Sequence, residues 1–152
     1  HLYGSIDLEK IDFQQYVQSL THQILYSHNC HSQNINLVID VDSVLLNLET
    51  ANPCGLIINE LVANCLEHGF KEKSQGNINL TFKKNNLGQF ILIVKDDGVG
   101  FPTNKSLHNS ESLGLELVCT LVEQLEGEIE LKNNNGTEII VTFSELNYSK
   151  RI

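Results

Sequence analysis

The chain has 152 residues, 41 % of them hydrophobic and 19 % charged, which fits one globular domain with a real core. Its net charge of −9 argues against non-specific binding to nucleic acid or to an anionic membrane, because both need clustered Lys and Arg. No run approaches the ~20 apolar residues of a membrane span. The start, His1-Leu2-Tyr3-Gly4, is neither a signal peptide nor a Met start, so a piece of a longer protein is expected.

In chain order, Asp12 is the expected N-cap of a helix over 12–28, with Gln15 as its capping-box partner. Phe13, Val17, Leu20, Ile24 and Leu25 supply its apolar face. Ile35, Leu37, Ile39 and Val41 alternate with polar neighbours as a strand, and 44–48 can form a short second one. Thr50 is the expected cap of a helix running to His68, with Pro53 in its first turn and Gly69 as its stop. Two strands around Ile78–Phe82 and Gln89–Lys95 flank the turn Asn85-Asn-Leu-Gly88. Residues 100–112 lack periodicity and read as a loop. A helix over 113–125 follows, then strands over 128–131 and 138–143 around the turn Asn133-Asn-Asn-Gly136. The predicted fold class is therefore an α/β (α+β) two-layer sandwich. Its mixed, mainly antiparallel sheet carries three helices on one face.

The cysteines are Cys30, Cys54, Cys65 and Cys119, and none forms a C-x-x-C pair. Buried free thiols are the expected reading, and no structural-zinc spacing is present.

Four groups of residues carry chemistry. Asp96-Asp-Gly-Val-Gly100 ends an apolar strand with a carboxylate and two glycines. A carboxylate accepts a hydrogen bond from the exocyclic amine of a base, and Gly98 and Gly100 allow close backbone approach. A plain strand-to-turn junction explains the same residues on local evidence. On the helix before it, Glu60, Asn64 and His68 recur at i, i+4 and i+8 along the edge of the apolar face. An Asn oxygen suits Mg²⁺, a carboxylate one turn earlier can orient an attacking group, and a His one turn later can reach ribose or phosphate. Ser112-Leu113-Gly114-Leu115 opens the next helix, where free N–H groups and the helix dipole favour an anion; an ordinary Ser cap reads the same locally. Thr137, after Gly136, can hydrogen-bond a base beside Asp96 or serve as a β-branched strand residue. No Walker A lysine and no Ser or Cys nucleophile in a triad context are present.

Together and in this order, these groups resemble the GHKL ATP-binding fold, shared by gyrase, the heat-shock chaperone and histidine kinases. The chain is most similar to the catalytic ATP-binding domain of a sensor histidine kinase. Asn59-Glu-Leu-Val-Ala-Asn-Cys-Leu-Glu-His68 resembles the N box, Asp96–Gly100 the first glycine box, and Ser112-Leu-Gly-Leu-Glu-Leu-Val118 the second. The resemblance implies that Asp96 receives the adenine amino group, with Thr137 supporting the base through water. It implies ATP and Mg²⁺ as cofactors, Asn64 as the metal ligand and Glu60 as the residue assisting γ-phosphoryl transfer. Gly98, Gly100 and Gly114 would let the lid and the helix start close on the phosphates.

The implied activity is that of an ATP-dependent protein-histidine kinase in a two-component system. The acceptor histidine would lie on an upstream dimerisation domain, of which residues 1–11 are the expected tail. Residues 12–147 would form the ATP-binding domain and 148–152 a C-terminal tail. The implied partners are that upstream domain and a response regulator, within a homodimeric parent. The domain itself is expected to be cytoplasmic and without membrane contact, whether or not the parent is anchored. Rival readings are an anti-sigma-factor-type serine kinase and a nucleotide-binding regulatory module without kinase activity. The last is motivated by Glu67, which stands where the family usually has a phosphate-contacting Lys. Lys71, Lys73 and Lys105 are the cations that could substitute.

Overall fold

The computed structural model describes residues 10–28, 34–69, 75–98, 113–133 and 135–146. Strand β1 (Lys10–Asp12) leads into helix α1 (Phe13–Ser27). Asp12 caps that helix, its Oδ1 accepting the Gln15 N–H at 3.2 Å as the sequence predicts. Strands β2 (Asn34–Val41) and β3 (Leu45–Asn47) precede helix α2 (Leu48–Asn64), which a five-residue π-turn, Cys65–Gly69, extends. Then come β4 (Gln75–Lys84), β5 (Phe90–Asp96), helix α3 (Leu113–Gln124), β6 (Glu128–Asn133) and β7 (Thr137–Phe143).

Five strands form one sheet in the order β2-β4-β5-β7-β6. Only the edge pair β2–β4 is parallel; the other three pairings are antiparallel. The parallel pair exists because α2 intervenes between its strands, whereas Asn85–Gly88 and Asn133–Gly136 close hairpins. At the first hairpin, Asn85 Oδ1 accepts the Leu87 N–H at 2.9 Å, and Gly88 adopts φ +79°.

Alternation decides which face of the sheet is covered. Ile78, Leu80 and Phe82 of β4, Leu92 and Val94 of β5, and Ile139, Val141 and Phe143 of β7 point to one side. There they pack against Phe13, Val17 and Ile24 of α1, Ile57, Ile58, Leu61 and Val62 of α2, and Val118, Leu121 and Val122 of α3. Phe82 joins the layers, its ring 4.7 Å from Phe13 and 5.2 Å from Phe90. Asn77 and Asn79 stand exposed on the opposite face.

Three expectations change. Lys10 and Ile11 are part of an antiparallel ribbon with β3, so the fold includes residues assigned above to the tail. The cap of α2 is Asn47, whose Oδ1 accepts the Thr50 N–H at 3.0 Å, and not Thr50. Thr50 is wholly buried instead, and its hydroxyl accepts the Leu146 N–H at 2.9 Å. Pro53 consequently falls at the sixth helical position, in the second turn, where its missing N–H removes one i→i−4 bond.

Candidate functional site

Asp96 is the last residue of β5 and continues the inward row Phe90, Leu92, Val94. It is 4 % exposed, one of three buried polar or charged residues among those described. A buried carboxylate needs donors. Its Oδ1 accepts the Gly98 N–H at 2.9 Å, closing an Asx turn around the first glycine of the box. Cys65, the first residue of the π-turn, is buried at the end of α2. Burial first, and the Asp96 charge second, push that thiol well above its usual range, so sulfur keeps its proton.

Asp97 has a different task. Its two oxygens accept the Asn77 N–H and the Asn77 side-chain amide, each at 2.8 Å, and its own N–H donates to the Asn77 carbonyl at 3.2 Å. Asp97, itself exposed, thus locks the end of β5 to β4. The chain can therefore turn sharply at Gly98 without moving Asp96.

On the other flank, Thr137 is the register partner of Asp96 at the start of β7. Gly136 precedes it with φ +129°, and a Cβ there would collide with the Asp96 carbonyl. Gly136 was not singled out as a site residue from the sequence. The Asn-rich turn marks it as a turn glycine, but only its contact across the sheet gives it a role.

Glu60 and Asn64 are half-buried on the last turn and a half of α2. The helix packs against both β5 and α3. Leu113 and Gly114 open α3, Gly114 half-buried and Leu115 buried, so the start of this helix is set by its packing on α2. The structure thus gathers Asp96, Gly98 and Thr137 at one end of the sheet, while Asn64 ends α2, the helix that packs against β5. Gly100 and Ser112 lie outside the described residues.

His68 departs from the expected stripe. The i+8 spacing assumes unbroken α-helix, but from Cys65 the chain follows i→i+5 geometry. The His68 side chain is 63 % exposed, and its Nε2 lies 3.7 Å from Glu67 Oε2. Glu67 Oε1 in turn meets His28 Nε2 at 3.2 Å, tying the π-turn to the end of α1.

No group of three or more His, Cys, Asp or Glu side chains among the described residues could hold a metal ion. A single Asn oxygen with phosphate and water oxygens is the kind of donor set Mg²⁺ accepts. The buried, oriented carboxylate and the side-chain-free cradle at Gly136 fit an amino-bearing base. A concavity of about 520 Å³, lined in part by Glu126, Glu128 and Glu145, holds none of these residues.

A two-layer domain that sets a buried acid at a strand end, beneath a helix carrying Asn and Glu, belongs to the class of ATP-binding modules built on a mixed sheet. Residues 50–147 match the family model described as histidine kinase-, DNA gyrase B-, and HSP90-like ATPase, and the chain belongs to that family. Blue-light-activated histidine kinase 2 of Erythrobacter litoralis is 32 % identical over 107 residues, covering 70 % of this chain and 31 % of that protein. Sensor histidine kinase PdtaS of Mycobacterium tuberculosis is 32 % identical over 111 residues, covering 70 % of this chain and 22 % of that protein. The chain therefore spans under a third of the length of these relatives. Among solved structures, the Erythrobacter litoralis EL346 blue-light activated histidine kinase superposes with a TM-score of 0.85 at 25 % identity, covering 92 % of this chain and 44 % of that one. A mycobacterial sensor histidine kinase, MprB, shares the fold with a TM-score of 0.69 at 14 % identity, over 91 % of this chain and all of that one.

Proposed function

We propose that this chain is the ATP-binding catalytic domain of a two-component sensor histidine kinase. It would supply the γ-phosphoryl group to a histidine on an upstream dimerisation domain. The observation that carries this reading is Asp96, a carboxylate buried at the end of β5 with one oxygen fixed by the Gly98 N–H; its other oxygen would accept the exocyclic amine. Thr137 supports the base beside it, and Asn64 would hold Mg²⁺ on the phosphates. Glu60, one turn before Asn64, would orient the attacking group, while Gly98, Gly100, Ser112, Leu113, Gly114 and Leu115 offer backbone to the phosphates. His68 would approach the ribose or phosphates only after leaving Glu67. The working partners are the upstream phosphoacceptor domain and a response regulator, in a homodimeric parent whose kinase domain is cytoplasmic. No helix among the described residues is long and apolar enough to cross a membrane.

Titration calorimetry with ATP and Mg²⁺ tests the reading. The wild-type chain binds, and Asp96→Asn binds at least ~100-fold more weakly, since it loses a charged acceptor and can aim a donor at the amine. Unchanged affinity in Asp96→Asn would refute the adenine assignment. With γ-labelled ATP the isolated chain stays unlabelled, and label appears on a supplied acceptor domain. The regulatory-module reading, favoured by the acid at position 67, instead predicts binding with no transfer to any acceptor.

A further inference from the structure

Glu67 sits between two histidines and holds them unequally. Its Oε1 meets His28 Nε2 at 3.2 Å, whereas its Oε2 lies 3.7 Å from His68 Nε2, longer than a hydrogen bond. His28 can hold the acid because its own ring is fixed. It is the C-cap of α1, its backbone N–H donates to the Ile24 carbonyl at 3.2 Å, and its Nδ1 lies 3.0 Å from that same carbonyl. That contact turns Nε2 outward to the π-turn and leaves the side chain 27 % exposed. The topology sets this pair at the end of the sheet that carries Asp96. Helix α1 leads into β2 and the π-turn into β4, and those two strands run parallel. Asp96 ends β5 opposite Ile78, near the start of β4.

We infer that His28 is a positioning residue for phosphate binding: it retains the Glu67 carboxylate at the end of α1 and so leaves His68 able to reach the phosphates. The inference rests on the reading of the site as a nucleotide site with its phosphates beside the end of α2. Glu67 follows Asn64 by three residues, where a negative charge opposes a phosphate. The pair is not a local turn contact, since its members are 39 residues apart and belong to two different elements. An exposed pair adds little to stability, so what it decides is where the charge points. A Glu67 side chain released from His28 has His68 beside it, already 3.7 Å away. Pairing with His68 would turn that ring from the ligand and carry the acid's charge along with it.

The experiment measures dissociation constants of Mg²⁺–ATP and of adenosine for wild type, His28→Ala, His28→Asn, Glu67→Gln and the double variant His28→Ala with Glu67→Gln. Asp96→Asn serves as the control for the base assignment. Alanine removes the ring, while asparagine keeps a polar side chain at the helix end but is too short to reach Glu67. Both variants are expected to weaken Mg²⁺–ATP about fivefold and to leave adenosine within about twofold, because adenosine carries no phosphate charge. In the Glu67→Gln background, His28→Ala is expected to change Mg²⁺–ATP by less than about twofold, since the coupling lies between these two side chains. If both His28 variants weaken the two ligands alike, loosened packing of α1 is the cause and the inference is overturned. If the loss is as large in the Glu67→Gln background, His28 acts on the phosphates without Glu67, and the inference is again overturned. The same holds if both His28 variants bind Mg²⁺–ATP as wild type does while Asp96→Asn does not; the nucleotide-site reading then stands alone. If wild type fails to bind Mg²⁺–ATP, or Asp96→Asn binds it equally well, that reading itself fails and the inference with it.

Discussion

Glu67 stands where the resemblance implies a lysine, and the structure shows what its charge meets. The carboxylate is half exposed and turned toward two histidines, 3.2 Å from His28 and 3.7 Å from His68. His28 has one face committed already, with Nδ1 3.0 Å from the Ile24 carbonyl. These contacts draw the acid toward the end of α1 and stabilise little, as exposed pairs do. Replacing Glu67 by Lys removes one negative charge near the proposed phosphate side and adds a positive one. Glu67→Lys is expected to tighten Mg²⁺–ATP binding about fivefold by calorimetry, with Glu67→Gln between the two. Equal or weaker binding in Glu67→Lys would mean that the acid does not face the phosphates. His68 is the companion case. Its position on the sequence stripe assumed a period that fails at Cys65, and an i→i+5 turn leaves no local composition from which it could be foreseen.

At the scale of elements, the periodic segments were legible and the caps that depend on distant residues were not. Helices α1 and α3 and the hairpin strands follow directly from spacing and turn chemistry. The start of α2 does not, because Asn47 serves two masters. Its Oδ1 caps the helix, while its Nδ2 donates to the Leu146 carbonyl at 2.6 Å, 99 residues later. Strand β1 was missed for the same reason: three residues have no period, and their partner β3 lies beyond a whole helix. Asn47→Ala is expected to lower unfolding stability by about 2 kcal/mol in a denaturant titration, more than an isolated cap. A loss below about 0.5 kcal/mol would show that the Leu146 contact adds nothing. At the parallel edge, Asp42 accepts the Lys84 N–H at 3.0 Å and meets Lys83 at 3.3 Å. The Lys84 N–H above all, opposed by desolvation and helped by Lys83, holds its carboxyl below the usual range. A depressed folded pKa gives stability that is present above the unfolded value and lost as pH falls through the folded one. Asp42→Asn should therefore remove part of the acid limb below about pH 4 in a melting-temperature profile, leaving the neutral-to-alkaline shape unaltered.

For the whole molecule, the proposed site draws on both layers, so nucleotide binding would be coupled to folding. Asp96 belongs to the sheet and Asn64 to the helix layer, and α2 packs against β5. The boxes were readable in sequence because each is short and local. That they form one pocket is what the resemblance implies; the structure itself brings Gly136 against Asp96 by the β5–β7 register and not by spacing. A ligand that binds only the folded chain stabilises it by about 2.7 kcal/mol at a hundredfold excess over its dissociation constant. Adding ATP with Mg²⁺ should thus raise the melting temperature by several degrees, and chelating the metal should remove most of that rise if Asn64 works through the cation. Gly136→Ala is the sharper probe. A methyl forced into the Asp96 carbonyl at φ +129° must displace the end of β5 or the turn before β7. The variant is expected to melt lower than wild type and also to lose the nucleotide-induced rise. A variant that melts lower yet keeps the full rise would place the base away from Asp96. The position of the acid, rather than the integrity of the sheet, is therefore what the ligand response reads.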